Sequence, residues 1–152
     1  MGLGKTIQTI CLLAAIKEGR LTAARGVRGP HLVVMPTSLL FNWEQELARF
    51  APDIRVHIYS GSERSLDAKD GDVVLTTYGI ARRDIEPLEQ MPFHVIVFDE
   101  AQAVKNILAD TTGAVRRLKG RFKIALTGTP LENHLGENFS VIALCVPGLL
   151  GE

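Results

Sequence analysis

Val95-Ile96-Val97-Phe98-Asp99-Glu100-Ala101-Gln102 decides the fold class. Four apolar residues in a row, without the alternation of a half-solvated strand, predict a strand buried on both faces, as in a parallel sheet covered by helices. Two carboxylates follow at once. Neighbouring side chains of a strand point to opposite faces, so Asp99 and Glu100 can share a site only if the strand ends there and the backbone turns. Ligands of open α/β sheets gather at that carboxyl edge. Such a pair can hold Mg²⁺ through Asp99 and activate a water through Glu100 as general base.

The quoted run belongs to a strand predicted at His94–Phe98, and, working outward, further strands are predicted at His31–Met35, Arg55–Tyr59, Val73–Thr77 and Phe122–Leu126. A helix is expected over Leu39–Phe50, capped by Ser38, with Leu39, Leu40, Trp43, Leu47 and Phe50 on its apolar face. Others are expected over Thr111–Leu118 and Asn133–Val146. Strands alternating with helices give an α/β, doubly wound class with a mostly parallel sheet.

The N-terminal Met1-Gly2-Leu3-Gly4-Lys5-Thr6 is the second half of a P-loop. Gly2 and Gly4 allow the backbone N–H groups to approach phosphate, Lys5 brings a charge to the β- and γ-phosphates, and Thr6 offers a hydroxyl to Mg²⁺. A helix should follow, with Ile7, Ile10, Cys11 and Ala14 on one face and its end near Lys17-Glu18-Gly19. A myristoylation pattern (Met1-Gly2 with Thr6) and a signal-peptide-like run from Lys5 through Ile16 overlap these residues, and neither explains Gly4-Lys5-Thr6 as a unit. The strand that should precede a P-loop is not in the chain. It would belong in the sheet interior, so its two neighbours are expected to carry unpaired edges.

The third motif, Leu126-Thr127-Gly128-Thr129-Pro130, ends another apolar run. Gly128 and Pro130 set a turn, and Thr127 and Thr129 can bond the acidic pair or sense the γ-phosphate. Seventeen basic and seventeen acidic residues cancel, so any contact with nucleic acid must be local. Cys11 and Cys145 read as reduced core residues, and the four histidines share no zinc spacing with them. The apolar run at Phe139–Leu150 is too short for a membrane span and is broken by Pro147.

Five segments in order resemble the Swi/Snf-type family of DNA-dependent ATPases, within the superfamily-two helicase-like proteins. They are Met1–Ile10, Pro36-Thr37-Ser38-Leu39-Leu40-Phe41-Asn42-Trp43, Leu75-Thr76-Thr77-Tyr78, Asp99–Asn106 and Leu126–Asn133. The resemblance implies a RecA-like P-loop lobe that uses ATP and Mg²⁺ and tracks the backbone of double-stranded DNA. It implies roles for Gly2, Gly4, Lys5, Thr6, Thr127 and Thr129 at the nucleotide, for Thr6 and Asp99 at the metal, and for Lys5, Asp99 and Glu100 in catalysis. Pro36, Thr37, Ser38, Thr76, Thr77 and Tyr78 match segments that touch the DNA backbone. Hydroxyls and N–H groups there suit phosphate contacts that position without reading sequence; a strand end with a helix cap explains any one of them equally well. Arg82-Arg83 and Arg116-Arg117 read as solvated surface first, and Trp43 as core.

Ile107, Gly136 and Asn138 depart from the family's pattern in ways that bear on local packing only. By the same resemblance, residues 1–152 are part of the first lobe of a two-lobe motor, with the second lobe and its γ-phosphate arginine absent; such arginines are worth about 10³–10⁵ in rate. The isolated chain is therefore expected to hydrolyse ATP poorly. The alternative is a non-catalytic remnant that at most binds nucleotide or DNA weakly. Expected surroundings are the bacterial cytoplasm or a eukaryotic nucleus. DNA-stimulated turnover by the isolated 152 residues, abolished by Lys5→Ala, would contradict the expectation of weak activity.

Overall fold

The computed structural model describes residues 2–17, 29–60, 67–100 and 117–126. Helix α1 (Gly2–Lys17) precedes strand β1 (His31–Met35), a 3-10 turn at Thr37–Leu39 and helix α2 (Leu40–Phe50). Strands β2 (Val56–Ile58) and β3 (Val73–Thr77) follow, then short helices α3 (Tyr78–Arg83) and α4 (Ile85–Glu89), then β4 (Phe93–Phe98) and β5 (Gly120–Ala125).

The five strands among the described residues all pair in parallel, in the order β2-β3-β1-β4-β5. β1 is central, with Val33 opposite Leu75 on one side and Val97 on the other. Every residue of β1, β3 and β4 is buried, as their unbroken apolar runs require. Alternation along the strands splits them between two cores. Val33, Met35, Val73, Leu75, Val95 and Val97 pack with Ile10 and Leu13 of α1 and Trp43 and Leu47 of α2. Leu32, Val34, Val74, Ile96 and Phe98 pack with Tyr78, Ala81, Ile85 and Leu88 of α3 and α4. The sheet is thus wound on both faces, the doubly wound RecA-like architecture expected.

Several details differ from expectation. β4 and β5 pair directly through five registered positions from Phe93–Gly120 to Phe98–Ala125, so these two strands present no unpaired edges to each other. The reason is backbone chemistry: two buried strand edges satisfy their N–H and C=O groups most simply with each other. α1 begins at Gly2, which places Gly2 and Gly4 in its opening turn and not in a loop. The first N–H groups of any helix lack intrahelical partners, so that turn still offers donors. Its buried face runs through Thr6, Thr9, Ile10 and Leu13. Cys11 is exposed, because one residue further along a helix turns the side chain by about 100°.

Ser38 does not cap α2. It lies inside the 3-10 turn, where Leu39 N donates to the Pro36 carbonyl at 3.0 Å, and Leu39 takes the cap position without a side-chain bond. Phe50, expected on the apolar face, is 42% exposed, with the Arg49 guanidinium over its ring. α3 and α4 have no counterpart in the sequence reading; Pro87 sits in the first turn of α4, the one place a helix tolerates it. Arg117 forms a two-pronged ion pair with Glu89 of α4, at 2.9 Å on each arm. Most of the segments Thr111–Leu118 and Asn133–Val146 lies outside the described residues, as does Cys145. No described helix is long and apolar enough to cross a membrane.

The amino edge of the sheet is locked by Gly29, at φ 104°, whose N–H donates to Asp70 Oδ1 at 2.9 Å. A Cβ there would run into the Pro92 carbonyl. Gly29→Ala is expected to lower unfolding stability by roughly 1–3 kcal/mol or more, read as a drop in the urea midpoint.

Beside it, His31 and His94 are buried with their rings edge to face at 5.6 Å, and among the described residues neither ring nitrogen of His31 has a hydrogen-bond partner. Burial, with a smaller contribution from His94, lowers the His31 pKa from 6.5 to about 4. The unfolded chain therefore takes up this proton first as pH falls. Stability should decline from pH 6.5 down to about pH 4, by on the order of 3 kcal/mol in total from this group. Urea titrations at a series of pH values should show this slope, and His31→Leu should remove it.

Candidate nucleotide and DNA site

Parallel strands deliver their carboxyl ends to one edge, and the chemistry-bearing segments collect there. β1 is followed at once by Pro36, β3 by Tyr78, β4 by Asp99 and β5 by Leu126. The chain fills the β3 side of β1 before crossing to β4, so the boundary between β1 and β4 is the topological switch point. Asp99 sits on it: its N–H donates to the Val34 carbonyl at 2.8 Å, extending the β1–β4 ladder by one residue.

Asp99 is only 3% exposed. Its Oδ2 accepts from the Trp43 indole Nε1–H at 2.8 Å, and its Oδ1 from the Glu100 backbone N–H at 2.8 Å. Its carbonyl accepts from the Tyr78 hydroxyl, also at 2.8 Å. Burial pushes the Tyr78 phenol far above its ordinary pKa, reinforced by the charges of Asp99 and Glu100, so the hydroxyl keeps its proton and stays a donor. Glu100 has φ 53°, in the left-handed region that a non-glycine residue seldom enters. The backbone thus turns immediately after β4, the condition for the two carboxylates to share one edge.

Thr6 lies in α1 and is buried, and Lys5 precedes it in the same turn. Asp99 and Thr6 are hard oxygen donors of the kind Mg²⁺ takes. Oδ1 and Oδ2 of Asp99 each accept an N–H bond, and a carboxylate oxygen can accept more than one, so the chemistry of these donors suits that ion. Among the described residues no group of three or more His, Cys, Asp or Glu could hold a metal by itself. Thr127 and Thr129 lie outside the described residues.

Residues expected at DNA separate into two sets. Thr37 and Ser38 are exposed and Pro36 is partly so. Thr77 is 6% exposed, and its Oγ1 accepts from Ile80 N at 3.3 Å, capping α3. Thr76 is fully buried and its hydroxyl donates to the Tyr59 carbonyl at 2.9 Å. With Tyr78 bonded to Asp99, the side chains of Thr76 and Tyr78 face inward, and their local role is to hold the edge together. Thr37, Leu40, Ser60, Thr77, Arg82 and Arg83 line a groove of about 480 Å³, with Gly79 and Ile80 completing it. Ser60 carried no signal in the sequence. The role of Trp43 as a donor was equally hidden, because an indole reads as core whether or not its N–H finds a partner.

Fold and edge define a RecA-like lobe of the helicase type. The chain belongs to the SNF2-related domain family, which matches residues 1–152. YwqA of Bacillus subtilis, by name an ATP-dependent helicase/translocase, is 42% identical over 99% of this chain. The helicase swr1 of Emericella nidulans is 37% identical over 97% of it. The chain spans 16% and 9% of the lengths of those two relatives. A solved structure of the Sulfolobus solfataricus SWI2/SNF2 ATPase core in complex with double-stranded DNA matches with TM-score 0.77 and 42% identity, over 100% of this chain and 31% of that one.

Asp99→Ala would leave the buried Trp43 N–H without its acceptor, so a loss of about 1–3 kcal/mol is expected. Asp99→Asn, which keeps an oxygen for that bond, should lose less. Urea unfolding of both variants measures the difference.

Proposed function

We propose that this chain is the nucleotide-binding first lobe of a Swi/Snf-type motor that couples ATP hydrolysis to movement along the backbone of duplex DNA. The observation that carries the reading is the position of Asp99: a buried, oriented carboxylate at the switch point, on the same edge as the groove bearing Arg82 and Arg83. The names of the relatives and the DNA-bound structural neighbour support it.

In this reading the opening turn of α1, Gly2 to Thr6, meets the phosphates, with Lys5 as the point charge. Asp99 and Thr6 hold Mg²⁺, which would neutralise charge developing on the phosphoryl oxygens. Glu100, at the left-handed turn that follows β4, orients the attacking water and takes up its proton. Thr127 and Thr129 link this site to the DNA side. A second RecA-like lobe completes the cleft, so the working unit is larger than these residues. At the groove, the Thr37 and Thr77 hydroxyls and the Arg82 and Arg83 guanidiniums meet phosphates of the duplex.

Two measurements test the reading. Lys5→Ala should abolish ATP binding, while Glu100→Gln should keep binding and fold and lower turnover at least 10²-fold, within the range typical for general-base loss. Arg82→Ala and Arg83→Ala should weaken duplex binding evenly across sequences, each reducing the slope of log affinity against log salt by about 1. Binding that differs strongly between duplex sequences, or a salt slope unchanged by both substitutions, would remove the groove from the proposal.

A further inference from the structure

Two elements that line the groove each send one buried aromatic donor to Asp99. Leu40 opens α2 and lines the groove, and Trp43, one turn further along that helix, donates to the Asp99 carboxylate. Thr77, Gly79, Ile80, Arg82 and Arg83 line it from β3 and α3, and Tyr78, among them, donates to the Asp99 carbonyl. Trp43 is fully buried and Tyr78 is 5% exposed. Close packing leaves such rings little freedom to move apart from the helices that carry them. Neither donor faces solvent, and both converge on one residue that the strand ladder already holds by its N–H.

Resting on the reading of the site above, we propose that Trp43 and Tyr78 are positioning residues through which occupancy of the groove by a duplex backbone sets the orientation of the Asp99 carboxylate, and thereby its hold on magnesium-nucleotide. Phosphates drawing α2 and α3 together would press both donors onto Asp99. An empty groove leaves the two helices free to relax, and the carboxylate with them. Neither ring touches substrate, so neither is a catalytic residue. Coupling of this kind is a free energy shared between two sites, so it acts in both directions: bound magnesium-nucleotide should tighten duplex binding by the same factor.

The experiment uses Trp43→Phe and Tyr78→Phe in the intact protein: each keeps an aromatic ring in the core and deletes the donor bond of interest, and Tyr78→Phe, which removes a hydroxyl alone, controls for the core volume that Trp43→Phe also removes. The Mg²⁺ concentration for half-maximal binding of a slowly hydrolysed ATP analogue is measured with and without a short duplex. In the unaltered protein the duplex should lower that concentration several-fold. In each variant most of this lowering should vanish, a loss of about fivefold or more, at the low end of typical coupling between sites. Duplex affinity measured without nucleotide should stay within twofold of the original. As a readout independent of turnover, the indole N–H resonance of Trp43, the single tryptophan of this sequence, should shift when Mg²⁺ and the analogue are added. It should shift again with duplex, and by less in Tyr78→Phe.

Full duplex coupling retained in both variants overturns the proposal, and so does a loss of duplex affinity itself, which would make these rings part of the groove's framework alone. Should Trp43→Phe fail to fold, Tyr78→Phe alone decides the matter, because only a hydroxyl is removed. A protein whose nucleotide binding ignores both Mg²⁺ and duplex before any substitution would overturn the reading of the site, and the positioning roles with it. Normal coupling that survives both substitutions overturns the positioning roles only.

Discussion

The parallel pairing of β1 with β4 is the constraint on which the remaining structure depends. Both strands are buried on both faces, so neither can slip without moving apolar side chains from one core into the other. The register that aligns Leu32 with Ile96 and Val34 with Phe98 leaves one more ladder bond to be made, from Asp99 N–H to the Val34 carbonyl. That bond puts an acidic residue at the last dry position before the edge. Everything assembled there, from the Pro36 turn to the start of α3, is placed relative to it.

A carboxylate so nearly excluded from water is costly unless its oxygens find donors. Here each oxygen has one, from an indole and from a backbone amide, and the carbonyl of the same residue has a third, from a phenol. Hydrogen bonds to charged groups are stronger than neutral ones, so the arrangement holds Asp99 in one orientation and not merely in place. The left-handed backbone at Glu100 belongs to the same economy of space: the chain must turn at once, and a strained residue persists where its neighbours over-determine it. Strain at that position, next to a buried charge at a switch point, is the kind that accompanies a working site.

Much of this was legible in the residues. The runs at His31–Met35, Val73–Thr77 and His94–Phe98 lack polar alternation, and only burial on both faces explains that. Their parallel order, and the gathering of Pro36, Thr77 and Asp99 at one edge, follow from the same reading. The short helices were not legible: α3 and α4 have too few residues to show a period, and Pro87 argues against a helix unless its place in the first turn is known. Ser38 looked like a cap, yet the Pro36 carbonyl took the Leu39 N–H first. Cys11 and Phe50 looked buried because an apolar side chain carries no mark of which way its helix is rotated.

The sequence by itself determined the class of chemistry and the sheet that carries it. Motif order and strand polarity are properties of the chain, and hydrophobic runs select a doubly covered parallel sheet whatever the details of packing. Only the tertiary structure decided which hydroxyls face outward and which serve the core. Thr37 is exposed at the groove, Thr77 borders it while its hydroxyl oxygen caps α3, and Thr76 and Tyr78, neighbours of Thr77 in the same motif, turn inward to the Tyr59 and Asp99 carbonyls. Only it paired Trp43 with Asp99, across 56 residues of chain. The physical reason is range: periodicity and propensity act over a few residues, whereas a hydrogen bond between a helix and a strand end exists only after the sheet has brought them together.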